Sequence, residues 1–222
     1  MDKARQVPNL ITLARLVLAA TAFWFMDGLL GQEPGSDAAR RAANWAFWLF
    51  LAASITDFLD GYLARKYGWV TALGRIGDSV VDKVLTMGTM AYLAAGSATA
   101  AVGAGVFGQE GDWMRVLPVW ALVVSLAREF LITALRGLVE SRGMQFPADR
   151  FGKLKMVLQV VYLAAALAGA AGLHESGPIA LLGFAREAWF FTPVFWAMML
   201  LTVASGAHYV TRGARMLSGS EE

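Results

Sequence analysis

The sequence predicts an all-α integral membrane bundle of six transmembrane helices with an N-terminal juxtamembrane segment. Hydrophobic residues make up 57% of the 222 residues, and the mean hydropathy is +0.52. Only 16% of the residues are charged, too few to solvate the surface of a globular protein of this size. Six segments are also apolar over the roughly 20 residues that a helix needs to cross the hydrocarbon core of a bilayer. A membrane is therefore the expected solvent.

The first predicted span follows a short basic stretch that contains Lys3 and Arg5. A basic start before an apolar run is also typical of a signal peptide. However, Arg15 interrupts the apolar run, and no small-residue cleavage site stands out. We therefore predict a retained first span, preceded by the juxtamembrane segment.

Turn signals separate the remaining spans, because Gly, Pro and polar residues cluster between the apolar runs. The sequence shows no second domain, so residues 1–222 are predicted to form a single membrane domain. The predicted spans are 10–30, 43–66, 79–106, 115–140, 153–173 and 188–211, and the predicted loops include 31–39, 103–112, 143–152 and 172–183.

The positions of the basic residues predict the orientation of the bundle. Most of the 19 Lys and Arg residues lie at the N-terminal end, around 65–83, around 136–155 and in the tail. Cytoplasmic loops of membrane proteins have such an excess of positive charge. Both termini are therefore expected on the cytoplasmic side of the cytoplasmic (inner) membrane. Because the cations alternate with apolar runs and form no patch, no nucleic-acid partner is expected.

Several chemistries are excluded by composition. The sequence contains no Cys, which excludes disulfides, thiolate metal sites and a cysteine nucleophile. His174 and His208 are far apart in sequence and do not form a metal site by spacing.

Four aspartates are the strongest functional signal. Asp57 and Asp60 lie near the cytoplasmic end of the second span, and Asp78 and Asp82 near that of the third. At about 100° per residue each pair falls on one helix face, so two helices with a short connection can direct four carboxylates to one point. Carboxylates beside hydrocarbon repel one another and need a cation or a proton. Oxygen ligands favour Mg²⁺ or Mn²⁺, and four of them suit two ions.

Small residues lie beside these acids. Gly61 and Ala64 share the helix face of Asp57 and Asp60, and Gly74 precedes Asp78 by one turn. They predict a slot in which a phosphate or nucleotide can approach the backbone. Helix packing by small residues, which is common in membranes, is the alternative interpretation.

Together these residues form the pattern D-x2-D-G-x2-A-R-x8-G-x3-D-x3-D, which resembles the signature of the CDP-alcohol phosphotransferase family. Members of this family split a CDP-linked lipid or alcohol at its pyrophosphate, pass the phosphoryl-containing part to a hydroxyl and release CMP. The resemblance covers nearly the whole chain, and it also implies a homodimer. It implies metal ligands at Asp57, Asp60, Asp78 and Asp82, a catalytic base at Asp82, and nucleotide-binding residues at Gly61, Ala64, Arg65 and Gly74.

Three further stretches resemble the phosphatidylglycerophosphate synthases of this family. They are 8–15, 127–136 and 152–159. The resemblance implies CDP-diacylglycerol and sn-glycerol 3-phosphate as substrates. A phosphate on the acceptor requires nearby cations, and the predicted acceptor-binding residues are Arg128, Arg136, Lys153 and Lys155.

Each of these assignments has an alternative. Arg136 and the two lysines are equally explained as positive-loop residues, and Arg128 as an internal structural pair with Glu129. Asn9 and Thr12 either line the site or cap the first helix. Arg75 and Ser79, which neighbour Asp78, depart from the synthase pattern.

Two rival functions remain open at this point. Family members that use inositol phosphate, serine or phosphatidylglycerol share the aspartates and differ only in their acceptor contacts. A divalent-cation transporter would bind metal as cargo, but such proteins usually have internal repeats and broken helices. This sequence shows neither feature.

Overall fold

The computed structural model describes residues 7–32, 36–67, 72–100, 117–144, 150–173 and 188–218. Side chains are described for 12–32, 36–57, 77, 80–96, 117–144, 151–173 and 191–218. These residues form six helices: α1 (Val7–Leu30), α2 (Asp37–Tyr67), α3 (Ala72–Ala100), α4 (Val119–Ser141), α5 (Arg150–Ala170) and α6 (Ala188–Ser218). The all-helical class is confirmed, and each predicted span overlaps one helix. Residues 101–106 of the third predicted span and 115–116 of the fourth lie outside the described residues. α1 begins at Val7, three residues before the predicted first span, and residues 1–6 of the predicted juxtamembrane segment lie outside the described residues.

Glycines end two of the helices where the sequence predicts loops. Gly143 follows α4 and Gly172 follows α5, both with positive φ values, 74° and 68°. Glycine adopts this left-handed conformation without the steric cost of a Cβ atom. The Met144 amide then donates to the Val139 carbonyl at 3.3 Å, and the Leu173 amide to the Ala168 carbonyl at 3.1 Å. These bonds are the Schellman arrangement that satisfies otherwise unpaired carbonyls at a helix end.

Other helices extend beyond their apolar runs. α2 begins at Asp37, six residues before the predicted span, because the Ser36 hydroxyl caps the helix by accepting a hydrogen bond from the Ala39 amide at 3.2 Å. Serine at this position satisfies an unpaired amide of the first turn. α6 continues to Ser218, seven residues past the end of its predicted span. Hydrophobicity marks the part of a helix in the bilayer, whereas capping and turn residues decide where the helix ends.

The six helices pack in two groups that share one apolar core. α1 packs against α2 and α3, α6 packs against α4 and α5, and contacts between α2 and α5 and between α3 and α4 join the groups. Small buried side chains lie in the α1 and α2 parts of the core, where they allow the helix backbones to approach closely. They are Ala19, Ala22, Ala46 and Ala53.

Two glycines permit especially close contacts. A Cβ atom on Gly88 of α3 would lie 2.3 Å from Cζ of Phe23 on α1. One on Gly213 of α6 would lie 2.6 Å from Cδ2 of Leu135 on α4. Neither position accepts a methyl group unless the facing side chain moves.

Part of the bundle is apolar enough to span a membrane. In the part of the chain that the structure describes, three segments are long and apolar enough: Thr12–Leu30, Phe151–Ala170 and Phe191–Ser218. Six helices are thus confirmed, and three of them are apolar enough to be membrane spans.

The outer surface of the bundle is that of a membrane protein. Large apolar side chains are widely exposed, including Trp24 and Phe130 (both 71%) and Leu200 (66%). Charged side chains such as Arg15 and Lys155 are instead buried. This is the reverse of the usual distribution in a soluble domain, and it is the distribution that lipid favours.

Gly88→Ala should destabilise the bundle. The new methyl group overlaps the Phe23 ring, and overpacking of this kind costs about 1–3 kcal/mol, more than the about 0.5–1 kcal/mol that alanine gains over glycine in a helix. Gly137→Ala is the matched control, because a Cβ atom on Gly137 of α4 would have no described atom within 4 Å. Thermal melting in detergent should show a lower Tm for G88A only. Equal Tm values for both variants would contradict the close α1–α3 contact.

Candidate active site

The four signature aspartates lie where the sequence predicts them along the chain. Asp57 and Asp60 are in the last three turns of α2, and Asp78 and Asp82 are in the first three turns of α3. Only four residues, 68–71, separate the two helices. The side chains of Asp57 and Asp82 are described. Those of Asp60, Asp78, Ala64 and Arg65, and the surroundings of Gly61 and Gly74, lie outside the described side chains.

Asp57 forms an ion pair that was not predicted from the sequence. Its Oδ1 atom lies 2.6 Å from Nη2 of Arg15, a residue of α1. The Arg15 side chain is 1% exposed and that of Asp57 is 27% exposed. A charged group in an apolar span is expected to have a partner of opposite charge. The presence of Arg15 in the first apolar run was therefore the sequence feature that could have predicted this ion pair. The pair joins α1 to the aspartate segment.

Asp82 belongs to a pocket between α3, α4 and α5. α3 also contributes Lys83, Thr86 and Met87; α4 contributes Arg128 and Glu129; and α5 contributes Gly152, Lys155, Met156 and Gln159. The pocket therefore brings one signature aspartate together with two of the four predicted acceptor-binding cations, Arg128 and Lys155.

Glu129 connects these two cations. Its Oε1 atom accepts hydrogen bonds from Nη1 of Arg128 at 2.6 Å and from Nζ of Lys155 at 2.9 Å. The predicted alternative for Arg128, a structural pair with Glu129, is thus present, but it is part of a wider group. One carboxylate faces two cations, so this group of three side chains has a net positive charge.

The carboxylate of Asp82 interacts electrostatically with residues from four other helices. Among them are Asp57 on α2 and Arg15 on α1, Glu129 on α4 and Lys155 on α5. The Arg15–Asp57 pair and the Glu129 group therefore belong to one charged region around Asp82. Two acids, Asp57 and Glu129, and two cations, Arg15 and Lys155, thus act on the Asp82 carboxylate.

The other two predicted acceptor-binding residues, Lys153 and Arg136, lie outside the pocket lining. Lys153 precedes Lys155 by two residues, so it projects from another face of α5, and it is exposed. Arg136 is partly buried on α4, two turns beyond Arg128. Neither residue is among those that line the pocket.

Thr12 and Asn9 lie on α1. Cγ2 of Thr12 lies 3.1 Å from the position that a Cβ on Gly77 would occupy. Thr12 therefore packs against the first turns of α3, and it lies inside α1, which begins at Val7. The side chain of Asn9 lies outside the described residues.

Lys83, Gln159 and Ser205 were not predicted as site residues. Lys83 donates to Oγ1 of Thr133 on α4 at 2.6 Å, which holds α3 against α4 at the pocket. Buried Gln159 donates to Sδ of Met90 at 2.9 Å. Ser205 on α6 accepts a hydrogen bond from Nη2 of Arg128 at 3.0 Å. The spacing of residues along one helix does not show which residues of another helix they contact.

The described side chains contain no group of three or more His, Cys, Asp or Glu residues arranged to hold a metal ion. Two of the four candidate ligands, Asp60 and Asp78, have side chains outside this described set. Asp57 and Asp82 are hard oxygen donors, the type that Mg²⁺ and Mn²⁺ prefer.

Curated proteins similar to this chain include lipid-synthesising transferases. It is 34% identical over 211 residues to a "Probable phosphatidylglycerophosphate synthase" of Mycobacterium tuberculosis, covering 95% of this chain and 83% of that protein. It is 30% identical over 220 residues to a "CDP-diacylglycerol--glycerol-3-phosphate 3-phosphatidyltransferase" of Bacillus subtilis, covering 96% and 98%. A "Cardiolipin synthase (CMP-forming)" of Streptomyces coelicolor is 27% identical over 206 residues, covering 91% and 83%.

The family model described as "CDP-alcohol phosphatidyltransferase" matches residues 5–207. That range includes every residue of the aspartate signature, the Arg15–Asp57 pair and the Glu129 group. The proposed resemblance is confirmed, and the transporter alternative gains no support. The chain belongs to the CDP-alcohol phosphatidyltransferase family and is a transferase of phospholipid synthesis.

Proposed function

We propose that this enzyme transfers the phosphatidyl group of CDP-diacylglycerol to sn-glycerol 3-phosphate, which gives phosphatidylglycerophosphate and CMP. The observation that supports this acceptor is the pocket in which Asp82 lies together with Arg128 and Lys155. The names of the relatives from Mycobacterium tuberculosis and Bacillus subtilis agree with this assignment.

In this proposal the two cations bind the phosphate of the acceptor. A phosphate monoester is a dianion, and hydrogen bonds from guanidinium and ammonium groups to it are the strong, charge-assisted kind. Arg128 has five N–H donors and Lys155 has three, so both retain donors while bonded to Glu129. Phosphate-free alcohols such as serine would make poorer use of these cations.

Asp82 acts as the general base. It removes the proton from the attacking hydroxyl of the acceptor, whose oxygen then forms the new bond to the phosphorus of the phosphatidyl group as CMP departs. A base must lie within hydrogen-bond reach of the proton that it takes. A glycerol hydroxyl is only a few bonds from the phosphate of the same molecule, so one pocket holding both the base and the phosphate-binding cations meets this requirement.

Asp57, Asp60, Asp78 and Asp82 would hold two Mg²⁺ or Mn²⁺ ions. The chemistry of the described donors fits, because Asp57 and Asp82 offer carboxylate oxygens from two facing helices and interact electrostatically. When bound, such ions screen the pyrophosphate and stabilise charge on the departing CMP. Arg15 supports this arrangement by fixing one oxygen of Asp57.

The remaining assignments are part of the same proposal. Gly61, Ala64, Arg65 and Gly74 bind the cytidine nucleotide, with Asn9 and Thr12 beside the site. All six helices cross the cytoplasmic membrane as one domain over 1–222, with the site and both termini facing the cytoplasm. The exposed apolar faces of the outer helices support lipid contact and permit a homodimer.

Asp82→Asn should abolish turnover while leaving the fold intact. The amide cannot accept a proton, and loss of a general base lowers kcat by about 10²–10⁴-fold. The measurement is release of CMP from CDP-diacylglycerol with glycerol 3-phosphate and Mg²⁺. Asp27→Asn is the control, because Asp27 is an exposed acid on α1, and its activity should equal that of the wild type. Absence of CMP release by the wild type would refute the proposed function.

Lys155→Gln should raise the KM for glycerol 3-phosphate by about 10- to 100-fold, because a hydrogen bond to a charged group contributes about 1.5–3 kcal/mol. The KM for CDP-diacylglycerol should stay unchanged. Lys153→Gln is the matched control, since Lys153 is exposed and does not line the pocket. A similar rise in both variants would argue against a pocket-specific role for Lys155.

A further inference from the structure

Arg128 has more described contacts than Lys83 or Lys155, the other cations of the pocket. Glu129 accepts from its Nη1 atom at 2.6 Å, and Ser205 accepts from its Nη2 atom at 3.0 Å. Its Cζ atom lies 5.8 Å from the centroid of the Tyr209 ring, within the range of a cation–π contact. The guanidinium group is therefore fixed by one residue of its own helix and by two residues of α6.

The hydroxyl of Ser205 is oriented to receive Arg128. Ser205 is fully buried, and its Oγ atom donates to the carbonyl of Thr202 at 3.1 Å. A hydroxyl has one proton and two lone pairs. Since the proton is used within α6, the oxygen presents a lone pair to the guanidinium. A buried hydroxyl with both functions satisfied holds its partner in one direction.

The neighbouring positions of α6 leave room for this arrangement. Gly206 follows Ser205, and a Cβ atom on it would lie 3.3 Å from Cγ of Arg128. On α5, a Cβ atom on Gly152 would lie 3.5 Å from Nη2 of Arg128 and 3.7 Å from the Tyr209 hydroxyl. Arg128 is thus closely approached on two sides, by Gly206 of α6 and by Gly152 of α5.

We propose that Ser205 is a positioning residue that directs Arg128 toward the anionic group of the acceptor. None of the described residues that line the pocket belongs to α6. This helix therefore affects acceptor binding only indirectly, through the contact of Ser205 with Arg128. The inference rests on the proposed function, in which Arg128 binds the acceptor phosphate.

Ser205→Ala removes the hydrogen bond between Arg128 and Ser205 and changes the side-chain volume only slightly. The KM for glycerol 3-phosphate should rise about 3- to 10-fold, the range expected for loss of a hydrogen bond to a charged group that retains a second partner. The KM for CDP-diacylglycerol should not change, and kcat should stay within about twofold. These constants are measured by CMP release at varied concentrations of each substrate.

Thr202→Val is the matched control. Thr202 is also fully buried on α6, one turn earlier, and its hydroxyl donates only within the helix, to the Met198 carbonyl at 2.7 Å. T202V should leave both KM values unchanged. Ser205→Thr keeps the hydroxyl and should restore the KM of the wild type. A general packing effect of α6 would instead raise the KM in T202V as well.

A double-mutant cycle with Arg128 and Ser205 tests the same contact from the Arg128 side. Arg128→Lys removes Nη2, so S205A should have no further effect on the KM in the R128K background. Additive effects, an unchanged KM in S205A or an S205A protein that does not fold would each overturn the positioning role. If the wild type itself shows no turnover with glycerol 3-phosphate, the proposed function fails and not this contact alone.

Discussion

Ionised side chains enclosed in a helix bundle need partners, and this constraint organises the protein. Removing one member of a buried ion pair costs about 3–5 kcal/mol, because the other charge remains without compensation. Arg15 and Asp57 satisfy the requirement at the α1–α2 contact. Arg128, Glu129 and Lys155 satisfy it between α4 and α5. Each group also links helices whose outer faces are apolar, so the polar interior fixes the mutual rotation of the helices.

The same constraint relates the fold to its chemistry. Charges that need partners in the resting protein are also charges that an anionic substrate or a cation can engage. Lys155 has one partner among the described residues, Glu129, which it shares with Arg128. A phosphate bound here would complete a network that already contains more positive than negative groups. Small residues at the helix contacts, such as Gly88 and Gly213, bring the helices close enough for such groups to meet.

The sequence was sufficient to predict the all-helical class, the approximate spans and the helix positions of the aspartates. These features depend on local properties, namely apolar runs, glycine punctuation and helical periodicity. The glycines at 143 and 172 end helices as predicted, because the left-handed conformation is a property of one residue. The exact helix ends were less predictable, since the Ser36 cap extends α2 beyond its apolar run.

The individual side-chain partners between helices could not be predicted from the sequence. The pair of Arg15 with Asp57 joins residues 42 positions apart, and that of Arg128 with Ser205 joins residues 77 apart. Each depends on how two helices rotate and approach, which hydrophobic periodicity does not determine. The difference between Lys153 and Lys155 is similar. Both are basic residues at one helix end, and only the packing of α5 selects Lys155 for the pocket.

The most direct test of this account is a crystal structure with Mn²⁺ and glycerol 3-phosphate bound, with the ions located by their anomalous scattering. Manganese should lie at about 2 Å from carboxylate oxygens of Asp57 and Asp82, and the acceptor phosphate should contact Arg128 and Lys155. Manganese bound away from these aspartates, or a phosphate bound outside the pocket, would contradict it.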